Sequence, residues 1–151
     1  MKEKIIYLDT SAIVKRYVEE PGGDVVRSLY RNAYDGEIKL AFSTWNVGEV
    51  LGVFDRALMM GRINREDHAT ARKRFLIELN RLTRLGALTL IHLKVSILKE
   101  AWKLIEKYHI YQADALQITS AKALNAEQIV VSDKKLCELS LREGLNTLCV
   151  E

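Results

Sequence analysis

The sequence predicts an α/β fold, a single domain over residues 1–151 with helices on both faces of a parallel sheet of about five strands, a three-layer α/β/α arrangement. Three observations predict it. Short apolar runs such as Ile5-Ile6-Tyr7-Leu8 and Ile129-Val130-Val131 read as strands buried on both faces, as parallel sheets require. These runs alternate with stretches of helical period in the order β-α-α-β-α-α-β-α-α-β-α-β. No linker, repeat or low-complexity segment divides the chain. At 151 residues, 48% apolar and 28% charged, the chain can build one core of its own.

The first strand, 5–8, ends in Asp9, and Thr10 and Ser11 follow. Residues 12–17 read as a helix. Asp9 therefore stands at the carboxyl end of an early strand, where it can cap the helix or face a ligand. Glu19-Glu20-Pro21-Gly22-Gly23-Asp24 is a turn, and 25–33 is a short helix with Val25, Val26, Leu29 and Tyr30 on one face. A second strand, 39–42, leads into Ser43 and Thr44, good caps for a helix from 45 to about 60. Glu49 lies early in that helix, a place that also suits a solvated partner of the helix dipole. Gly61-Arg62-Ile63-Asn64 breaks the chain, and Asn64 can cap a helix over 65–85 whose apolar stripe is Phe75, Leu76, Leu79, Leu82 and Leu85.

A third strand, 88–92, precedes an amphipathic helix over 94–108 with Val95, Leu98, Trp102 and Ile105 in line. The next helix is expected to start at Asp114, which with Gln117 resembles a capping box. Residues 128–133 then repeat the opening theme of apolar strand, hydroxyl and aspartate, here Ser132 and Asp133. A helix over 134–143 follows, and 148–150 is a last short strand.

Composition excludes several function classes. No apolar run approaches the ~20 residues of a membrane span. The opening Met1-Lys2-Glu3-Lys4 carries no secretory pattern, which predicts a cytoplasmic protein. Cys137 and Cys149 have no metal or redox spacing and read as core filler. His68, His92 and His109 are scattered, and there is no Gly-rich phosphate loop. The formal charge of +3 is unevenly placed: residues 55–84 hold eight cationic against four acidic residues. That helical region, with Arg62, Arg65, Arg72, Lys73 and Arg74, is a solvated face or a phosphate-tracking surface for RNA.

Four acids recur in equivalent places. Asp9 and Asp133 end strands and enter helices; Glu49 and Asp114 lie at helix starts. In a parallel sheet such starts can open on one edge. Four clustered carboxylates would repel and raise one another's pKa, and a divalent cation resolves that repulsion. Ligation by oxygen alone selects Mg²⁺ or Mn²⁺. Such a cation binds phosphate oxygens, so the natural substrate is a phosphodiester.

Here the residues resemble the PIN-domain family. Leu8-Asp9-Thr10-Ser11, Ser43 with Glu49, Ala113-Asp114-Ala115-Leu116 and Val130-Val131-Ser132-Asp133 match its four motifs in order, across essentially the whole chain. One departure stands out: many members carry Thr two residues before the fourth acid, where this chain has Val131. The resemblance implies a Mg²⁺- or Mn²⁺-dependent ribonuclease that leaves a 5′-phosphate and a 3′-hydroxyl. It implies Asp9 and Asp114 as the main metal ligands, Glu49 as a ligand or water-positioning group, and Asp133 completing the site. Thr10, Ser11 and Ser132 would hold the carboxylates. Length and simplicity look most like VapC-type toxins, which implies a small antitoxin partner and a homodimer. Apolar surface for that dimer is sought around Trp45, Val53 and Met59-Met60, residues that also suit a core. The rival from another class is a catalytically weak RNA-binding or assembly module of the same fold. A dehalogenase-type phosphatase wants an acid where Ser11 stands, and a phospho-receiver wants paired acids after the first strand.

Overall fold

The computed structural model describes residues 3–151, so the reading of the first two residues as a leaderless start lies outside it. Five strands form one parallel sheet in the order β3-β2-β1-β4-β5, with β1 (Ile5–Leu8) at its centre. β2 (Lys39–Ser43) and β3 (Leu88–Ile91) lie on one side of it, β4 (Gln128–Val131) and β5 (Thr147–Cys149) on the other. Ile6, Tyr7 and Leu8 are buried, as expected of a central strand covered on both faces. Because β2 and β4 both pair with β1, the chain winds in opposite directions from that strand. The carboxyl ends of β1 and β4 therefore border a topological switch point, where open α/β sheets bind ligands.

Among the described residues the helices are α1 (Thr10–Val14), α2 (Gly23–Tyr34), α3 (Thr44–Met59), α4 (Arg65–Arg84), α5 (Val95–Tyr108), α6 (Gln112–Ala123) and α7 (Lys134–Arg142). This is the predicted order of elements, and several details differ. α1 stops at Val14 rather than Tyr17. The next three amide N–H groups turn back to carbonyls only three residues earlier, a tightened end. Their side chains are held elsewhere: the Lys15 ammonium donates to the Pro21 carbonyl at 2.6 Å, while Arg16 and Tyr17 reach Glu78 on α4.

The buried face of α5 is Ile97, Ala101 and Leu104, one position off the expected line, and Val95 and Trp102 are exposed. The Trp102 indole N–H instead donates to Gln112 at the start of α6. On α4 the buried stripe is Ala71, Phe75, Glu78 and Leu82, so a glutamate enters the core side and Leu85 stays out. Cys137 and Cys149 are not separate filler but form a disulfide, with 5.9 Å between Cα atoms. β5 runs beside β4 with Cys149 opposite Val131, and α7 starts just past β4, which brings its first turns over β5. Among the described residues no helix is long and apolar enough to cross a membrane.

Candidate active site

Asp9, Glu49, Asp114 and Asp133 line one cavity of about 170 Å³ at this sheet edge, with Thr10, Ser11, Val53, Ala113, Gln117 and Leu136. Two of the acids come directly from neighbouring strands. Asp9 follows β1 in extended backbone, and its carboxylate accepts the Ala12 N–H at 2.8 Å, capping α1. Asp133 follows β4 and caps α7 in the same way through the Leu136 N–H at 2.9 Å. The two strand ends are tied together. The Asp9 N–H donates to the Val130 carbonyl, and the Ser132 N–H donates to Ser11 Oγ at 3.1 Å. The Ser11 hydroxyl in turn lies 2.7 and 2.9 Å from the two oxygens of Asp9. Capping and site membership are thus compatible for Asp9 and Asp133, since a cap uses only part of a carboxylate's acceptor capacity.

Glu49 arrives from β1's other neighbour. Ser43 at the end of β2 caps α3 with Asn46 in a reciprocal box, and Glu49 follows within the next turn. Its Oε1 accepts the Thr10 hydroxyl at 2.7 Å. Asp114 sits in the first turn of α6, but it is not the cap. The helix starts two residues earlier than expected, with Tyr111 at the cap position and no capping side chain. Gln117 makes no capping box. It turns inward to Asn46, Tyr7 and Glu49. The turn before α6 passes through His109 in the left-handed region at φ 57°, and Ile110 then buries itself and anchors the turn.

Burial and neighbouring acids disfavour ionised carboxyls in this cavity. Burial, aided by repulsion from Asp133 and Glu49, pushes the Asp9 carboxyl up to about 7, against the opposing hydrogen bonds from Ser11 and Ala12. Asp114 is also raised, first by burial and then by Asp133 and Glu49, with Lys135 partly offsetting. Among the described residues no three acids, histidines or cysteines already form a closed cage for an ion. The donors facing the cavity are hard oxygens, which fit Mg²⁺ or Mn²⁺.

Other expected residues lie elsewhere. Ser132 contributes its backbone N–H, which donates to Ser11 Oγ. Arg62, Arg65, Arg72, Lys73 and Arg74 are exposed on and before α4, and none lines the acidic cavity. Val53 lines the cavity, whereas Trp45, Met59 and Met60 are exposed on or beside α3 rather than in the core. Tyr7, Asn46 and Gln117, which support the acids from below, escaped the sequence reading. The available signal was a polar Gln117 within a helix buried from Ala115 to Ala121.

Solved structures of other proteins share the fold. VapC20 of Mycobacterium tuberculosis, described as a sarcin-ricin loop cleaving toxin, superposes with a TM-score of 0.63 at 13% identity, over 89% of this chain and 94% of that one. A domain of a functionally unknown protein from Methanocaldococcus jannaschii gives 0.55 at 16% identity, over 98% and 91%. No curated protein matches the sequence. The PIN domain family matches residues 6–141, which span both strand-end aspartates and all but the last strand of the sheet. The chain is a member of the PIN domain family.

Proposed function

We propose that this protein is a Mg²⁺- or Mn²⁺-dependent endoribonuclease, the toxin of a toxin–antitoxin pair. PIN domains are generally nucleases, and one structural neighbour is a toxin. The observation that carries the reading is the convergence of Asp9, Glu49, Asp114 and Asp133 on one cavity at the switch point of the sheet. Asp9 and Asp114, the two carboxyls raised by burial and by their neighbours, would hold the cation. When bound, the cation supplies charge compensation at the phosphate and lowers the pKa of the attacking water. Glu49 would ligate or orient that water. Asp133, the most open of the four, would complete the site directly or through water.

Thr10 and Ser11 fix the carboxylates, and the Ser132 N–H fixes Ser11. An RNA strand is the substrate. Arg62, Arg65, Arg72, Lys73 and Arg74 are a separate basic surface for its more distant phosphates or for an antitoxin. The exposed Trp45, Met59 and Met60 are the apolar surface for a homodimer. On this reading the protein acts in the cytoplasm.

The test compares wild type with Asp9→Asn on a mixed panel of end-labelled RNAs in Mg²⁺. Wild type is expected to cut. Asp9→Asn should lose activity by more than the ~10–100-fold typical of residues that only support a metal ligand, with an unchanged circular-dichroism spectrum. Cleavage that persists in Asp9→Asn contradicts the assignment. No cutting by wild type, and no Mn²⁺-dependent rise in Tm, returns the binding-module reading.

A further inference from the structure

We propose that Gln117, oriented by Asn46 and the Tyr7 hydroxyl, is a positioning residue that makes Glu49 offer one defined carboxylate oxygen to the site. The use of that oxygen rests on the ribonuclease reading above; its placement rests on geometry.

The starting point is a donor that cannot be flipped. The backbone N–H of Ser43 reaches Asn46 Oδ1 at 2.8 Å, so the carbonyl end of that amide must face Ser43. The Nδ2 end then points the other way. Its two hydrogens are accounted for: one goes to Thr10 Oγ1 and one to Gln117 Oε1, each at 2.9 Å. Thr10 therefore accepts from Asn46, and its own proton is directed to Glu49 Oε1 at 2.7 Å. The Tyr7 hydroxyl lies 3.0 Å from both Gln117 Oε1 and Asn46 Oδ1, so its one proton is shared between the two amide oxygens that face it. With its oxygen so held, Gln117 turns Nε2 toward Glu49, 3.4 Å from the same Oε1, and toward the Ala113 carbonyl. The opposite flip would set Nε2 against the Asn46 amide hydrogens and an amide oxygen against a carboxylate.

Both donors to Glu49 thus fall on Oε1. Among the described residues none donates to Oε2. Tyr7, Ser43, Asn46 and Gln117 are all buried. Buried polar groups are costly unless fully bonded, and a connected set locks its members into one arrangement. This set begins on strand β2, crosses β1 at Tyr7 and ends on α6. It couples the orientation of Glu49 to the three elements that carry the other acids' neighbours.

The test uses the full chain with Gln117→Met, which keeps the volume and removes both amide functions, and Tyr7→Phe, which removes one hydroxyl. Mn²⁺ titration, steady-state RNA cleavage and the crystal structure of each metal-free variant are read together. Gln117→Met is expected to weaken Mn²⁺ binding by ~10-fold or more and to lower kcat by a similar factor, with KM for RNA unchanged and Glu49 no longer ordered against Thr10. Tyr7→Phe should act in the same direction by a smaller factor, and it carries the test if Gln117→Met does not fold. Wild-type Mn²⁺ affinity and kcat in a folded Gln117→Met protein overturn the proposal. Wild type that neither binds Mn²⁺ nor cleaves RNA overturns the ribonuclease reading alone. The position of Glu49 then decides: displaced in the variant supports the proposal, unchanged overturns it.

Discussion

Asp9 carries the largest electrostatic consequence of any single residue in the site. Burial and its acidic neighbours push its carboxyl up to about 7 in the folded chain. Between the ordinary carboxylate range near 4 and about 7, the folded state therefore binds a proton that the unfolded state has released. Stability consequently falls as pH rises through that window and levels off above it. The penalty at neutral pH is on the order of a few kcal/mol. The metal-free protein should show a Tm that declines from about pH 4 to about pH 7, and Mn²⁺ at pH 7.5 should restore it. Asp9→Asn, neutral throughout, should flatten the decline. A thermal-shift series across pH, with and without Mn²⁺, checks this; the same slope in Asp9→Asn would locate the effect elsewhere.

Asp9 and Asp133 were legible as candidate-site residues because an apolar strand followed by an acid specifies a sheet edge. Glu49 and Asp114 were legible only as acids at helix starts, a weaker signal than a strand end and one that the PIN resemblance reinforced. Asn46 and Gln117 were not legible: their roles arise from hydrogen bonds between positions 71 residues apart.

At the scale of elements, α4 shows how a basic helix is held to the domain. Arg16 grips Glu78 through two bonds of 2.8 and 3.0 Å, and the hydroxyls of Tyr17 and Tyr34 donate to the same carboxylate. Burial alone would raise the Glu78 pKa. The Arg16 and tyrosine hydrogen bonds outweigh it and hold the carboxyl below its ordinary range. Glu78→Ala leaves Arg16 and two hydroxyls without a partner. The cost should be about 3 kcal/mol, the low end for a broken buried pair because Arg16 is partly exposed. That corresponds to a fall in Tm of roughly 6–12 °C, read by thermal denaturation; a change within 2 °C would mean that α4 is held by its apolar contacts alone.

The sequence pattern identified α4 as a helix and as basic, but it counted Glu78 only as one of four acids. A glutamate on the apolar stripe becomes intelligible once α1 ends early and turns Arg16 and Tyr17 toward it. The same limit applies to α5. Helical period alone did not choose between the line through Val95 and Trp102 and the neighbouring line through Ile97, Ala101 and Leu104; packing against α6 chose the second.

For the whole molecule, the alternation of strands and helices was enough to give the class and the order of elements. The arrangement β3-β2-β1-β4-β5 was not legible, because strand neighbours depend on long-range pairing rather than on local pattern. That arrangement creates the site. It brings the ends of β1 and β4 side by side, sets α3 next to them through β2, and packs α6 beneath, so four acids distant in the chain share one cavity. The disulfide between α7 and β5 belongs to the same scale: two cysteines in separate elements meet only after the sheet forms.

The central claim is that these carboxylates act with a divalent cation on RNA. The most direct measurement is cleavage of end-labelled RNA in Mg²⁺, in Mn²⁺ and in chelator, with analysis of the product ends. Cutting that requires the cation and leaves 5′-phosphates and 3′-hydroxyls is the predicted result. Cutting that survives chelator, or that leaves cyclic phosphates, would contradict it.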